Sequence, residues 1–322
     1  MTTLCASDIT GIVGIVPTPA TPDAGSWSAE ETINLPETEK MIQIIVNGGI
    51  DVIMTTGTFG ECASLTGPEL ESFVDCVVQT VAQKRPVFAG ITALNTRDTI
   101  RRARRLLAIG ADGLFVGRPM WLALDDAGIL KFHGDLIEAL GDVPLVIYDN
   151  PQAFKGKISS AVYTELAKIP QIIASKHVGG PQLEQDLLTV GENIRLLPLE
   201  AHWYKLAKKH PQLAKACWSG AVACAPAPLA QLAKSIREQD WNLAEVLTEE
   251  INHAARAMFP DGSLDKFMDY SIQIGKQRFV GAGLIDPGPA RPPYTEAPQS
   301  YLDGGLECGR RWARLQTKYA AK

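Results

Sequence analysis

Residues 171–180 read QIIASKHVGG. This stretch runs from an apolar, β-like segment, Ile172–Ala174, into Lys176 and a pair of glycines. An ammonium group at the inner end of a buried strand is poorly solvated, which lowers its pKa and makes a neutral amine available near pH 7. Such an amine can form a Schiff base with a ketone. The alternative is a solvated lysine at a strand end, and the surrounding segments decide between the two.

Further β-rich segments lie on both sides of this one, and each is followed by a helix-like segment. The predicted strands are Ile12–Val16, Val52–Thr56, Val87–Ile91, Gly113–Val116, Leu145–Tyr148, Ile172–Lys176, Ile194–Leu197 and Ala216–Ser219. Apolar spacing and capping residues predict helices such as Thr38–Val46 and Glu69–Ala82. Eight βα units of this spacing predict an α/β fold, a (β/α)8 TIM barrel of about 250 residues. A doubly wound open sheet is the alternative, but no GxGxxG motif follows the first strand.

The pattern changes after the eighth unit. From about Arg237 onward the apolar residues recur with helical spacing only, and a proline-rich segment, residues 286–294, precedes a last predicted helix at Leu302–Tyr319. We therefore expect a barrel domain over residues 1–236, which carries the active site. A C-terminal helical extension over residues 237–322 is expected to pack on it.

Composition excludes several classes of function. The chain of 322 residues has a net charge of −5, which argues against a nucleic-acid-binding surface. The N-terminus lacks the basic and apolar regions of a signal peptide, and no apolar run approaches the length of a membrane span. We expect a cytoplasmic protein. The cysteines form no CxxC pair and the histidines no HExxH motif, so neither a disulfide framework nor a metal site is predicted.

Chemistry in a barrel enzyme lies at the carboxyl ends of the strands. The polar and aromatic residues found there are Thr56–Glu61 after the second strand, Trp121 beyond the fourth, Tyr148–Pro151 after the fifth, and Lys176 on the sixth. Each motif alone can be a turn or a packing residue. Their shared position at carboxyl ends favours an active site.

Two chemical roles follow from these positions. Tyr148 and Lys176 end neighbouring strands, so the phenol can pass protons to and from the carbinolamine that precedes an imine. Gly57 and Gly60 let the loop backbone approach a ligand closely, while Thr58 adds a hydroxyl and amides that can hold a carboxylate.

These residues resemble a known family. The sequence GTFGE at 57–61, the Tyr-x-x-Pro of Tyr148–Pro151 and Lys176 are similar to motifs of the dihydrodipicolinate synthase and N-acetylneuraminate lyase superfamily of class I aldolases, over nearly the whole chain. More specific strings resemble the hydratase-aldolases of bacterial aromatic-hydrocarbon degradation, which act on trans-o-hydroxybenzylidenepyruvate or trans-2'-carboxybenzalpyruvate. Those strings are GTFGEC at 57–62, ALNTR at 93–97, PMW at 119–121, NPQAFK at 150–155 and RPPY at 291–294.

Departures from the synthase pattern point to the same branch. Dihydrodipicolinate synthases carry a second Thr where this chain has Phe59, and an acceptor-binding Arg where it has Ala153. An aromatic acceptor is therefore favoured over aspartate semialdehyde. Asn150 resembles the hydratase-aldolase pattern. That branch carries Asn near the position of Ser271, which we place with the substrate-binding residues.

The resemblance implies a mechanism and partners. Lys176 forms an imine with the 2-keto group of an arylidene pyruvate, water adds at the benzylic carbon, and carbon–carbon cleavage releases an aromatic aldehyde and pyruvate. Tyr148 and Asn150 are expected to handle protons, and Thr58, with the amide of Phe59, to hold the pyruvyl carboxylate. No external cofactor is needed, and a homotetramer is implied.

Two residues on the loop after the fourth strand concern the aromatic ring. Trp121, together with Phe59, is expected to offer aromatic surface to it. Arg118 is either a partner for an ortho carboxylate or a solvated loop arginine, while Glu61 is expected to be structural.

Two alternatives stay open. One is a synthase or lyase of the same superfamily that acts on a sugar acid or a semialdehyde, which Ala153 argues against. A non-catalytic binding barrel is the other, because fold alone does not imply activity. The presence of both Tyr148 and Lys176 argues against it.

Overall fold

A computed structural model describes residues 4–320. Its centre is eight strands: β1 (Gly11–Ile15), β2 (Val52–Met54), β3 (Val87–Gly90), β4 (Gly113–Gly117), β5 (Leu145–Tyr148), β6 (Ile172–Lys176), β7 (Arg195–Leu197) and β8 (Ala216–Ser219). All paired neighbours are parallel, in the order β7-β6-β5-β4-β3-β2-β1-β8. A parallel bridge between Leu199 and Trp218 brings the last two strands together. The predicted barrel is confirmed, and no predicted strand end is more than two residues from its observed position.

Helices surround this barrel and continue beyond it. They are α1 (Leu35–Asn47), α2 (Gly67–Val81), α3 (Thr96–Ile109), α4 (Asp126–Leu140), α5 (Pro151–Phe154), α6 (Ser160–Leu166), α7 (Leu183–Val190), α8 (Glu200–Lys209), α9 (Pro226–Arg237), α10 (Trp241–Arg256), α11 (Leu264–Asp269), α12 (Ser271–Ala282) and α13 (Gln299–Tyr319). Short 3-10 turns lie at Ala6–Asp8 and Pro260–Gly262. Within residues 4–320 no helix has the length and apolar character needed to cross a membrane.

Local sequence explains where the predicted helices begin. In α2 the Thr66 hydroxyl accepts from the Glu69 amide, and the Glu69 carboxylate accepts from the Thr66 amide. This reciprocal cap satisfies two amides that the helix itself leaves unpaired. In α1 the side chain of Asn34 accepts from the Glu37 amide, so the helix begins three residues before the predicted Thr38.

Side-chain alternation along the strands directs residues to two different cores. On β5, Leu145 and Ile147 belong to the cluster between strands and helices, whereas Val146 and Tyr148 belong to the cluster inside the barrel. This alternation is the two-residue period of a β-strand. Tyr148 is also the register partner of Lys176 on β6. Both functional side chains therefore come from adjacent strand ends.

The helices after Arg237 lie against the barrel helices and over the barrel mouth. Helix α10 packs against α8 and α9, and α13 packs against α9, α10 and α12. The last helix begins three residues before the predicted Leu302. The proposed division into domains at residues 236 and 237 stays a prediction.

Candidate active site

Lys176 lies in a cavity of about 480 Å³ at the carboxyl ends of the strands. Its side chain ends β6 and is buried. Burial lowers the pKa of this amine to about 7, while Asp149 and Glu200 act in the opposite direction. Nζ lies 3.8 Å from the centroid of the Trp218 indole and 4.8 Å from that of the Tyr148 ring. Near pH 7 a substantial fraction of Lys176 is therefore a neutral amine able to attack a carbonyl carbon.

Tyr148 is held beside the lysine by two polar contacts and one stacked ring. Its hydroxyl lies 2.6 Å from Thr58 Oγ1, and Asn150 Nδ2 donates to the phenol oxygen at 3.1 Å. The ring stacks on Phe115 with centroids 4.6 Å apart. Burial raises the pKa of the phenol, so Tyr148 stays protonated near neutrality. The arrangement suits a proton donor to a developing alkoxide.

The loop that carries Thr58 is shaped by its glycines. The Gly60 amide donates to the Gly57 carbonyl at 3.1 Å, and a Cβ at Gly60 would lie 2.8 Å from the Thr56 Cα. Only glycine fits this close approach. Gly57 is similarly confined, because a Cβ there would lie 3.3 Å from Ile15 Cγ2. The loop is therefore a tight turn that presents Thr58 beside Tyr148.

Glu61 fixes the end of this loop. Its fully buried carboxylate forms an ion pair with Lys276 of α12 at 2.9 Å, and a second ion pair with Arg291. The Arg291 amide also donates to Glu61 at 2.9 Å. These contacts support the expected structural role of Glu61.

Aromatic and thioether side chains cover the cavity, and all of them except Phe59 come from the C-terminal region. Its lining includes Phe59, Met258, Phe259, Phe267 and Met268, together with Ser271 at the start of α12. Such a surface suits a flat apolar group.

Most of the predicted site residues meet at this cavity. Those that line it are Thr58, Phe59, Tyr148, Asn150, Lys176 and Ser271. Trp121 does not line it: the indole is 75% exposed, because the segment after β4 turns outward over the surface. The expectation that Trp121 offers aromatic surface to the substrate ring was therefore wrong.

The interpretation of Arg118 as a solvated loop arginine was wrong. Its side chain is buried, forms an ion pair with Asp149 at 3.2 Å and donates to the Gly156 carbonyl. The reason is that Arg118 follows β4 directly, and the segment after β5 closes over it. Arg118 is therefore not solvated. It does not line the Lys176 cavity, which argues against a pairing with a substrate carboxylate.

Among the cavity residues that sequence reasoning did not single out are Glu200, Trp218 and Arg278. Glu200 lies just beyond β7 and Trp218 lies near the end of β8. Both are at carboxyl ends of strands, so the criterion that identified the other site residues could have identified these two as well. Arg278 lies on α12, and its guanidinium lies 4.8 Å from the centroid of the Phe59 ring. Nothing in the sequence pattern places α12 against this cavity.

Residues 4–320 contain no group of three or more His, Cys, Asp or Glu side chains arranged to hold a metal ion. The expectation of a reaction without metal or external cofactor stays a prediction.

Comparison with known proteins agrees with this geometry. A trans-2'-carboxybenzalpyruvate hydratase-aldolase from Nocardioides sp. (strain KP7) is 48% identical over 320 residues, which cover 98% of this chain and 96% of that protein. A trans-o-hydroxybenzylidenepyruvate hydratase-aldolase from Pseudomonas putida is 38% identical over 323 residues, 99% of this chain and 97% of that protein. The solved structure of PhdJ bound to a substrate intermediate superposes with a TM-score of 0.98 at 52% identity, covering 99% of this chain and 100% of the other.

The family-level match is equally extensive. The dihydrodipicolinate synthetase family matches residues 12–301, which include every strand of the barrel except the first residue of β1. This match agrees with the barrel and with the lysine at the end of its sixth strand. The chain therefore belongs to the dihydrodipicolinate synthetase family.

Proposed function

We propose that the protein is a Schiff-base hydratase-aldolase that converts an arylidene pyruvate and water to an aromatic aldehyde and pyruvate. The observation that carries the proposal is the position of Lys176. It is buried at a strand end, with a pKa of about 7, and its Nζ lies 4.8 Å from the Tyr148 ring. The activity named for the two relatives supports the substrate class.

The first step forms the imine. The neutral amine of Lys176 attacks the 2-keto carbon, and the resulting carbinolamine loses water with a proton supplied by Tyr148. The short contact between Tyr148 and Thr58 lets the proton pass between two hydroxyls, and Asn150 keeps the phenol oxygen in place. Thr58 and the amide of Phe59 hold the pyruvyl carboxylate.

The iminium then serves both later steps. It withdraws electrons from the conjugated double bond, so water adds at the benzylic carbon. The same iminium accepts the electron pair of the carbon–carbon bond when the benzylic hydroxyl loses its proton. An aromatic aldehyde leaves and an enamine remains. Protonation of its terminal carbon gives the pyruvate imine, and hydrolysis of this imine yields pyruvate and free Lys176. One electron sink therefore serves hydration and cleavage.

Apolar contacts support an aromatic acceptor. Phe59, Phe259 and Phe267 line the cavity, and Ala153 stands where a synthase carries an acceptor-binding arginine. Burial of an aromatic ring contributes roughly 1.5–3 kcal/mol. That corresponds to about one to two decades in kcat/KM when the contact persists in the transition state. The carboxylate of a semialdehyde acceptor would have no cationic partner at position 153, because Ala153 carries no charge.

We also propose a homotetramer in the cytoplasm. The consecutive side chains of Trp121 and Leu122 are both large, apolar and exposed, which supports a subunit contact. Light scattering coupled to size exclusion tests the assembly, and a monomer at micromolar concentration would contradict it.

The central experiment combines trapping with turnover. Borohydride and pyruvate are expected to add one reduced pyruvyl group, mapped to the peptide that carries Lys176, and Lys176→Ala should lose both adduct and turnover. Lys276 is a useful internal comparison. It is also buried, with a pKa of about 8, but its Nζ is paired with Glu61.

Turnover is then compared among substrates. Wild type should cleave o-hydroxybenzylidenepyruvate, carboxybenzalpyruvate or benzylidenepyruvate faster than it condenses pyruvate with aspartate semialdehyde. Tyr148→Phe should bind pyruvate yet lose about 10²–10⁴-fold in kcat. An adduct on Lys276, or a preference for the semialdehyde, would refute the proposal.

A further inference from the structure

Hydration and cleavage each need a base. In hydration the attacking water loses a proton, and in cleavage the benzylic hydroxyl does. Tyr148 is poorly suited to this task, because burial raises the pKa of its phenol and keeps it protonated. Asp149 is occupied by Arg118 and by the amide of Ile158, which donates to it at 3.3 Å. The base must come from elsewhere in the cavity.

Glu200 is a second carboxylate on the wall of the Lys176 cavity. It is the first residue of α8, directly beyond β7, and only 5% of its surface is exposed. Its Oε2 atom has no hydrogen-bond partner among residues 4–320. A buried carboxylate oxygen without a partner is costly, and such groups are retained where a ligand or a reaction uses them.

Charged and titratable groups on several elements surround Glu200. Lys176 on β6 and Arg278 on α12 both act on it electrostatically, but in the described part of the chain neither forms an ion pair with it. Cys217 on β8 also faces it, and His202, on its own helix, lines the same cavity. Glu200 therefore lies close to the imine-forming amine while one oxygen stays available.

We propose that Glu200 is the general base that activates water for hydration and deprotonates the benzylic hydroxyl for cleavage. This assignment rests on the proposed hydratase-aldolase function. It extends that function to a residue just beyond a strand end, where the sequence carries no recognised motif.

One carboxyl group can accept and return every proton that moves in hydration and cleavage. In hydration Glu200 takes a proton from water, the new carbon–oxygen bond forms at the benzylic carbon, and the double-bond electrons move to the iminium nitrogen. Protonated Glu200 then returns the proton to the neighbouring carbon of the enamine, which restores the iminium. In cleavage Glu200 takes the hydroxyl proton, the carbon–carbon electrons move to the nitrogen, and the aldehyde leaves. The same proton then converts the enamine to the pyruvate imine.

The electrostatics suit both halves of this cycle. Burial raises the pKa of Glu200 to about 7, while Arg278 and Lys176 act to lower it. When Lys176 becomes an iminium, its positive charge is permanent and favours the ionised carboxylate beside it. A larger fraction of Glu200 is therefore ionised, and able to accept a proton, once the imine has formed. A pKa close to the working pH is the condition for efficient transfer in both directions.

The test separates imine formation from the later steps. Glu200→Gln preserves shape, so the variant should fold and should still give the borohydride adduct of pyruvate on Lys176. Its kcat for arylidene pyruvate cleavage should fall about 10²–10⁴-fold, and the acid limb of the kcat profile, which the iminium charge is expected to place below pH 7, should disappear. Glu200→Asp keeps a carboxylate and should recover part of the activity. His202→Gln examines the competing base.

Each result bears on the assignment. An equal loss of adduct formation and turnover in Glu200→Gln would overturn it, because Glu200 would then act only through the ionisation of Lys176. Undiminished turnover, or transfer of the pH effect to His202→Gln, would also overturn it. If wild type gives the adduct but cleaves no arylidene pyruvate, the proposed function itself fails. Normal wild-type cleavage with an unaffected Glu200→Gln rejects only the role of Glu200.

Discussion

Asn150 contacts Tyr148 with one end of its amide and begins a helix with the other. Nδ2 donates to the phenol oxygen at 3.1 Å, while Oδ1 accepts from the Ala153 amide at 3.3 Å at the start of α5. One side chain therefore orients the proton donor and caps the helix that follows it.

Asn150→Ser should separate these two tasks. Serine is about as good an N-cap as asparagine, but it has no amide to donate to Tyr148. We expect a melting temperature close to that of wild type and a kcat lowered by about tenfold or more. Asn150→Ala should lose both functions, with a further stability cost of about 1 kcal/mol. Thermal unfolding beside steady-state kinetics measures the two effects. A wild-type kcat in Asn150→Ser would remove Asn150 from the proton path.

Lys176→Met should stabilise the fold in a pH-dependent manner. Burial lowers the pKa of Lys176 from 10.5 to about 7. Between these values the unfolded chain binds a proton that the folded chain does not, so the free energy of unfolding of wild type rises with pH. The penalty of the buried amine is greatest below pH 7, up to about 5 kcal/mol at about 1.4 kcal/mol per pKa unit.

The gain from Lys176→Met should therefore be largest near pH 6.5 and shrink toward pH 10.5. Urea unfolding at several pH values measures it. Lys168→Met is the control, because this lysine is exposed and pairs only with Glu165 on the surface. A gain independent of pH would mean that the amine is well solvated in the folded protein.

Arg118→Met should destabilise the protein without changing its substrate preference. Removal of the guanidinium leaves Asp149 buried and unpaired, which costs about 3–5 kcal/mol. Adding Asp149→Asn should recover part of this loss. The ratio of kcat/KM for carboxybenzalpyruvate over benzylidenepyruvate should stay within about twofold of wild type. A selective loss of kcat/KM with the carboxylated substrate would contradict this expectation and would support an ion pair between Arg118 and the substrate.

The fold was predictable because short apolar runs are separated at regular intervals by amphipathic helices. The same regularity fixed the principal relationship of the site. Tyr148 and Lys176 end consecutive strands, and parallel pairing brings consecutive strand ends together. The register followed from the connectivity, without any knowledge of side-chain packing.

The remaining errors come from the loops and from the C-terminal helices. The direction of the segment after β4 decides that Trp121 is exposed and that Arg118 is buried, and sequence pattern does not determine such a path. Arg278 reaches the cavity only because α12 packs over the barrel mouth. Glu200 differs from these residues. Its position after β7 could have been predicted from the sequence, but it belongs to no recognised motif and was not selected.

The ion pairs of Glu61 have a consequence for recombination between relatives. The loop that carries Thr58 ends at Glu61, whose contact with Arg291 spans 230 positions of sequence. A chimera that joins this barrel to the C-terminal region of a relative would inherit the loop from one parent and its counter-charges from the other. Such an exchange should preserve activity only when the donor supplies cations at the positions of Lys276 and Arg291. Retention of the loop that carries Thr58 is thus tied to two cations in the C-terminal part of the chain, although neither of them lines the cavity that holds Lys176.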